Sequence, residues 1–182
     1  MGFMLNQLNT IVMTPKIVFK KGRTGKMTID AIKGIAMWRI DGKTILLFPK
    51  YSNCKLLEEG RIKDWKEPDQ VQIDALLGPD RSKEITDGLL EIDSPAAKFV
   101  RSVGAEFNIP NLLSTGTIWN ARKEIDALAN MIDGAETLGE YPHLMSCLRC
   151  KRNFIWYASG RFGALLHNLM WKDYVVVPCR NL

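Results

Sequence analysis

The sequence predicts an α+β fold, with an amino-terminal antiparallel β-hairpin or small sheet followed by a mainly helical carboxy-terminal two-thirds. Three observations carry this. Asp41-Gly42 lies between two apolar runs in "KGIAMWRIDGKTILLFPKY", a strong short-range hairpin signal. After Tyr51, helix starts and stops punctuate the chain repeatedly. Near the end, "YVVVP" has the β-branched density of a strand that returns to the amino-terminal sheet.

The elements follow in order. "KIVFK", residues 16–20, reads as a first strand, followed by a glycine-punctuated cationic loop. Ile35 to Ile40 is expected to pair with Lys43 to Phe48 across a two-residue Asp41-Gly42 turn, since both residues tolerate positive φ. Pro49 ends that strand or marks an edge. Pro68-Asp69 starts a helix that Gly78-Pro79 stops, and Ser82 to Ile92 forms a second. Ser94-Pro95 is an N-cap and first-turn pair for a third. Ile118, Ala121, Ile125, Leu128, Ala129 and Ile132 recur at helical spacing, predicting one helix over 117–132 closed by Gly134. Pro142 opens another helix running to about Ser159, and "RFGALLHNLMW" forms a further short one. With no repeat and no long linker, residues 1–182 read as one domain, β-rich over 1–50 and mainly helical over 51–182.

A hydrophobic fraction of 46% and a charged fraction of 25% fit a globular protein and argue against disorder. No apolar run approaches the roughly 20 residues that span a bilayer. The opening "MGFMLNQLNTIVM" has no cation before Lys16 and no small-residue cleavage pattern, so a cytoplasmic protein without a membrane partner is expected. In that compartment Cys54, Cys147, Cys150 and Cys179 are reduced thiols.

The net charge of +5 conceals segregation. Residues 1–66 carry thirteen Lys and Arg against five Asp and Glu, and residues 143–182 carry six against one. Residues 67–99 carry three against eight, and residues 100–142 three against six. Basic ends flank an acidic middle, and ends that meet in the fold would make one strongly positive surface.

"GRTGKMT" fails as a phosphate loop, because Lys20 stands where the first glycine belongs and Met27 where the Mg²⁺-binding hydroxyl belongs. What remains is a basic loop of Lys20, Lys21, Arg23 and Lys26, suited to phosphate contacts without sequence readout, or to plain solvation. The densest chemistry lies in "HLMSCLRCKRNFIWYASGRF", residues 143–162. Wound as a helix, His143, Cys147, Cys150 and Phe154 share one stripe. Cys147 and Cys150 have the CxxC spacing of zinc ligands, but free cysteine also behaves as a small buried hydrophobe, so core thiols without metal are expected. The opposite helix face would carry Arg149, Arg152 and Trp156, with Arg161 just beyond, a guanidinium and indole set suited to phosphate forks and base stacking.

Catalytic groupings are sparse. His143 and His167 are the two histidines, and His167, amid "ALLHNLMW", is expected in the core or an interface. Asp64, Glu67, Asp69, Asp74, Asp80 and Glu84 would need to converge to hold a nuclease metal; spread over several elements, they are expected to form a solvated acidic face. The leading expectation is a non-enzymatic basic protein that binds nucleic acid, RNA or a single strand favoured. It needs no cofactor and serves as a subunit of a ribonucleoprotein or viral-type assembly with protein partners. Its site residues are Lys20, Lys21, Arg23, Lys26, Arg149, Arg152, Trp156 and Arg161. Two alternatives stand beside it. One is a structural or inhibitory protein-binding module displaying Trp65, Trp119 and Trp171 as an aromatic patch; the other is a metal-dependent nuclease.

Overall fold

The computed structural model describes residues 16–18, 26–30, 34–39, 42–66 and 81–182. Among these are two five-stranded sheets and four α-helices. The first sheet has the order β1 (Lys16–Val18), β2 (Lys26–Asp30), β3 (Gly34–Trp38), β4 (Thr44–Leu47) and β10 (Cys179–Asn181), all antiparallel. The second has the order β5 (Ser52–Cys54), β9 (Tyr174–Val176), β6 (His143–Cys150), β7 (Phe154–Ser159) and β8 (Ala164–Leu169). Its one parallel pairing is Leu144 with Val175. Between β5 and β6 in chain order come a 3₁₀ turn (Glu59–Asp64) and the helices α1 (Arg81–Leu90), α2 (Pro95–Val103), α3 (Leu112–Asn120) and α4 (Arg122–Ala129).

The fold is therefore α+β, but the carboxy-terminal two-thirds is not mainly helical. Helices end at Ala129, and everything regular after it is strand. The helix expected over 142–159 is the β6–β7 hairpin, and the short helix expected in 161–171 is a turn followed by β8. The cause is local. The β6–β7 register slips between Met145 and Arg149, forming a bulge. Ser146 Oγ donates to the Trp156 carbonyl at 2.7 Å and accepts from Leu148 N, while Cys147 N donates outward to Pro110 O at 2.9 Å. Residues 144–148 are consecutively buried as a result, which erases the two-residue alternation of a strand and imitates helical spacing.

Other elements differ in detail. The single helix expected over 117–132 is two helices, broken at Ala121, whose φ of −105° and ψ of 14° leave the α region. In the first hairpin Trp38 faces Thr44, and Arg39 N donates to Lys43 O at 2.8 Å. The connection therefore holds three residues, with Gly42 at φ +82°, rather than the two-residue turn. The expected helix over 69–78 lies outside the described residues. The Ser94-Pro95 signal acts as its chemistry dictates: Ser94 Oγ accepts from Ala97 N at 3.1 Å and α2 begins at Pro95.

The two sheets share a bent ribbon. β4 leads into β5 past Pro49, and β9 leads into β10 past Pro178, so both strands of the ribbon change sheets at a proline, which lacks the N–H a ladder would need. Tyr174–Val176 thus joins the second sheet, and Cys179–Asn181, not "YVVV", returns to the first. One core cluster packs α1 and α2 (Ile85, Leu89, Ala97, Val100) against Met145, Leu148, Ile155 and Tyr157 of the second sheet. The other packs α3 and α4 (Ile118, Ile125, Leu128) between first-sheet residues Ile35, Met37, Ile45 and Leu47 and second-sheet residues Leu144 and Ala158. Arg39, only 2% exposed, ties the first sheet to the start of α3 through Ser114 Oγ at 2.9 Å and the capping Asn111 Oδ1. Among the described residues no helix is long and apolar enough to cross a membrane.

Candidate nucleic-acid interface

The β6–β7 hairpin turns through Lys151, Arg152 and Asn153, since Cys150 pairs with Phe154. Lys151 takes φ +60°, a left-handed conformation that a tight three-residue connection requires of a non-glycine here. Arg149 stabilises that turn from beneath. Its Nε donates to the carbonyls of Lys151 and Arg152 at 3.2 Å, and its Nη2 to Arg152 O at 2.9 Å. Its Nη1 reaches Trp65 O at 3.2 Å, and the guanidinium lies 4.9 Å from the Trp65 ring centroid. With these donors engaged on backbone, Arg149 positions the loop, and the exposed cations of the loop are Lys151 and Arg152. Among the described residues none pairs with the side chains of Lys151, Arg152 or Lys172.

The next hairpin builds the surface beside this loop. β7 and β8 pair without a slip from Phe154↔Leu169 to Ser159↔Ala164. Phe154 and Trp156 are two apart on β7, and Trp156 faces His167 on β8, so all three share one face. The His167 ring stacks on Phe154 at 5.6 Å and 26° and meets Trp156 edge-on at 5.0 Å and 85°. Phe154 and Trp156 are half-buried and His167 is exposed, so the strip offers ring surface to solvent. At its far end the Gly160–Gly163 turn carries Arg161 over the Phe162 ring at 5.4 Å, with Phe162 66% exposed. Cations flank the strip in the chain: Lys151 and Arg152 immediately precede Phe154, Lys172 follows Leu169, the partner of Phe154, by three residues, and Arg161 lies in the turn after Ser159.

The expected site residues divide accordingly. Arg152, Trp156 and Arg161 border or form the strip, though on a hairpin and not on a helix face. Lys20, Lys21 and Arg23 lie outside the described residues. Lys26 is the first residue of β2, in the other sheet, paired with Val18. Phe154 and His167 were not expected. His167, expected in the core or an interface, is not in the core: it is exposed, because the alternation of β8 turns it to the face of Trp156. The Phe154-x-Trp156 spacing was the available signal, and it is visible only once a strand is assumed.

Cys147 is fully buried and Cys150 half-buried, in a bulged strand rather than on a helical stripe with His143. Trp65 is 6% exposed and packs with Trp171 in the first cluster, while Trp119 packs in the second, so the three do not form the exposed patch of the protein-binding alternative. Of the acidic series, Asp64 pairs with Arg61 at 3.4 Å and Glu84 is exposed on α1; residues 67–80 lie outside the described set. Among the described residues no three His, Cys, Asp or Glu side chains are grouped to hold a metal. No significant match to this chain is found among protein-family models, curated proteins or solved structures.

Proposed function

We propose that this is a non-enzymatic nucleic-acid-binding protein that holds a single strand, RNA favoured, on the outer face of β7 and β8. One observation carries the reading: Phe154, His167 and Trp156 lie side by side on one sheet face, with cations flanking them in the chain. Bases stack on aromatic rings irrespective of sequence, and sheet-surface binders seat two or three bases on such a platform. Arg152, Lys151, Lys172 and Arg161 would neutralise backbone phosphates, the source of sequence-independent affinity. Segregated charge supports the same face, since residues 143–182 contain a single acid, Asp173. Lys20, Lys21, Arg23 and Lys26 remain candidates for a second phosphate contact. The expected setting is a cytoplasmic ribonucleoprotein or viral-type assembly.

Photocrosslinking to oligo(U), followed by tryptic mapping, tests this directly. Crosslinks are expected in the peptides 153–161 and 162–172, which carry Phe154, Trp156 and His167. Crosslinks confined to other peptides would remove this face from the binding site.

A further inference from the structure

A sheet edge presents unpaired N–H and C=O groups, and proteins blunt such edges with short strands, charges, prolines or covering segments. Among the described residues, three of the four edges are blunted. β1 has three residues and begins with Lys16. β5 has three and leads into Lys55, whose carbonyl accepts from Ala96 N at 3.1 Å. β10 has three, contains Arg180, and is bridged on its outer side by Asn108 to Cys179. β8 differs: its six residues, Ala-Leu-Leu-His-Asn-Leu, include no charge and no proline, and its register with β7 has no bulge.

We propose that β8 is where two copies of this chain join, edge to edge and antiparallel, about a twofold axis at Leu166. The hydrogen-bond phase selects this register. Met170 N donates to Asn153 O at 3.0 Å. Antiparallel pairs alternate, so Asn168, Leu166 and Ala164 direct their backbone groups at β7, and Leu169, His167 and Leu165 direct theirs outward. Leu169 is satisfied within the chain: its N–H meets Asn168 Oδ1 at 2.8 Å, and its carbonyl accepts from Tyr174 Oη at 2.7 Å and Lys172 N at 3.2 Å. Among the described residues nothing pairs with the outward groups of Leu165 and His167, which flank Leu166 symmetrically. A twofold at Leu166 sets Leu165 of each copy opposite His167 of the other, and each of those pairs exchanges both N–H···O bonds.

Charge allows a second copy at β8 and selects this direction. A net charge of +5 opposes self-association, and β8, which has no formal charge, is the element where that repulsion acts least. Arg161 precedes the strand, while Lys172 and Asp173 follow it and cancel. Antiparallel joining sets Arg161 of one copy beside the neutral Lys172–Asp173 end of the other, whereas parallel joining would set Arg161 against Arg161. The product is one ten-stranded sheet. Leu165 and His167 share the face of Trp156, so the two aromatic strips become continuous across the axis. This inference stands on the edge geometry and not on nucleic-acid binding.

Sedimentation velocity of the full chain without nucleic acid, from low micromolar to several hundred micromolar, tests it. The mass is expected to rise from the 20.6 kDa monomer towards twice that value. Leu165→Pro removes an outward donor while sparing the β7–β8 ladder, and Leu165→Lys brings like charges together near the axis. Both are expected to stay monomeric with unchanged circular dichroism; should the proline variant not fold, the lysine variant decides. A parent that remains monomeric throughout would leave the edge to an extended segment of another protein and overturn the proposal. So would a folded variant that still dimerises. Failure of the parent to bind oligonucleotides would refute the proposed function without altering this result.

Discussion

The Arg149 guanidinium lies over the Trp65 indole at 4.9 Å and donates to the Trp65 carbonyl at 3.2 Å, while its other donors hold the Lys151 and Arg152 carbonyls. One side chain thereby fixes the turn that presents Arg152 to a core residue 84 positions away in sequence. Arg149→Ala is expected to lower stability by about 2 kcal/mol, from charge-assisted hydrogen bonds and the ring contact together. Arg149→Lys should recover less than half, because an ammonium cannot reproduce the planar fork. Urea unfolding reads both; a midpoint unchanged in Arg149→Ala would show that the contact does not support the turn.

Trp156→Ala should weaken single-strand binding by about 1–3 kcal/mol with little change in salt dependence, because stacking releases few counterions. Duplex binding should fall much less. Equal losses on single strands and duplexes would argue against base stacking on the strip. Unfolding must be followed in parallel, because Trp156 also packs against the first core cluster.

The readable parts of this chain are those whose signals are local. Ser94-Pro95 caps and starts α2 with groups one to three residues apart, so sequence suffices. The β6–β7–β8 meander was hidden because the Ser146–Leu148 bulge breaks the alternation, and because its partners, Pro110 O and Trp65 O, are distant in sequence. The site followed the same rule. Arg152, Trp156 and Arg161 stand out by residue type, whereas Phe154 and His167 become part of a strip only through pairing of β7 with β8. Arg149 stood out for the same reason as Arg152, and only the turn geometry separates their roles.

Asp87 provides a pH-dependent tie between α1 and α2. Burial alone would raise its pKa, but hydrogen bonds from Lys83 and Arg101 and their charges outweigh burial and hold the carboxyl below its ordinary value. Arg101 also reaches Phe107 O and, at 2.9 Å, Asn108 Oδ1. A carboxylate depressed in the folded state stabilises fully above its unfolded pKa of about 4 and loses that contribution as pH falls through the lower folded value. Asp87→Asn should therefore be less stable than the parent at pH 7, with the gap closing in acid. A gap constant from pH 7 to pH 2 would contradict this.

Gly160, between β7 and β8, donates its N–H to Pro142 O at 2.7 Å, and a Cβ there would sit 2.6 Å from that oxygen and 2.7 Å from Pro142 N. Both obstacles are backbone, so Gly160→Ala must displace the start of β6 or the end of β7. A cost of about 1–3 kcal/mol is expected in thermal unfolding. An alanine variant as stable as the parent would mean that this close approach does not hold the meander in place.

If the β7–β8 face and its flanking cations hold a nucleic-acid strand, the most direct measurement is a salt series of oligo(U) affinities for the parent and for Arg152→Ala/Arg161→Ala. The parent should bind with log affinity falling linearly against log salt, and the folded double variant should bind every sequence more weakly. Its slope should be shallower by roughly 0.7 for each phosphate that is no longer neutralised. A parent that does not bind, or a folded double variant with the parent's affinity and slope, would contradict this role for the face.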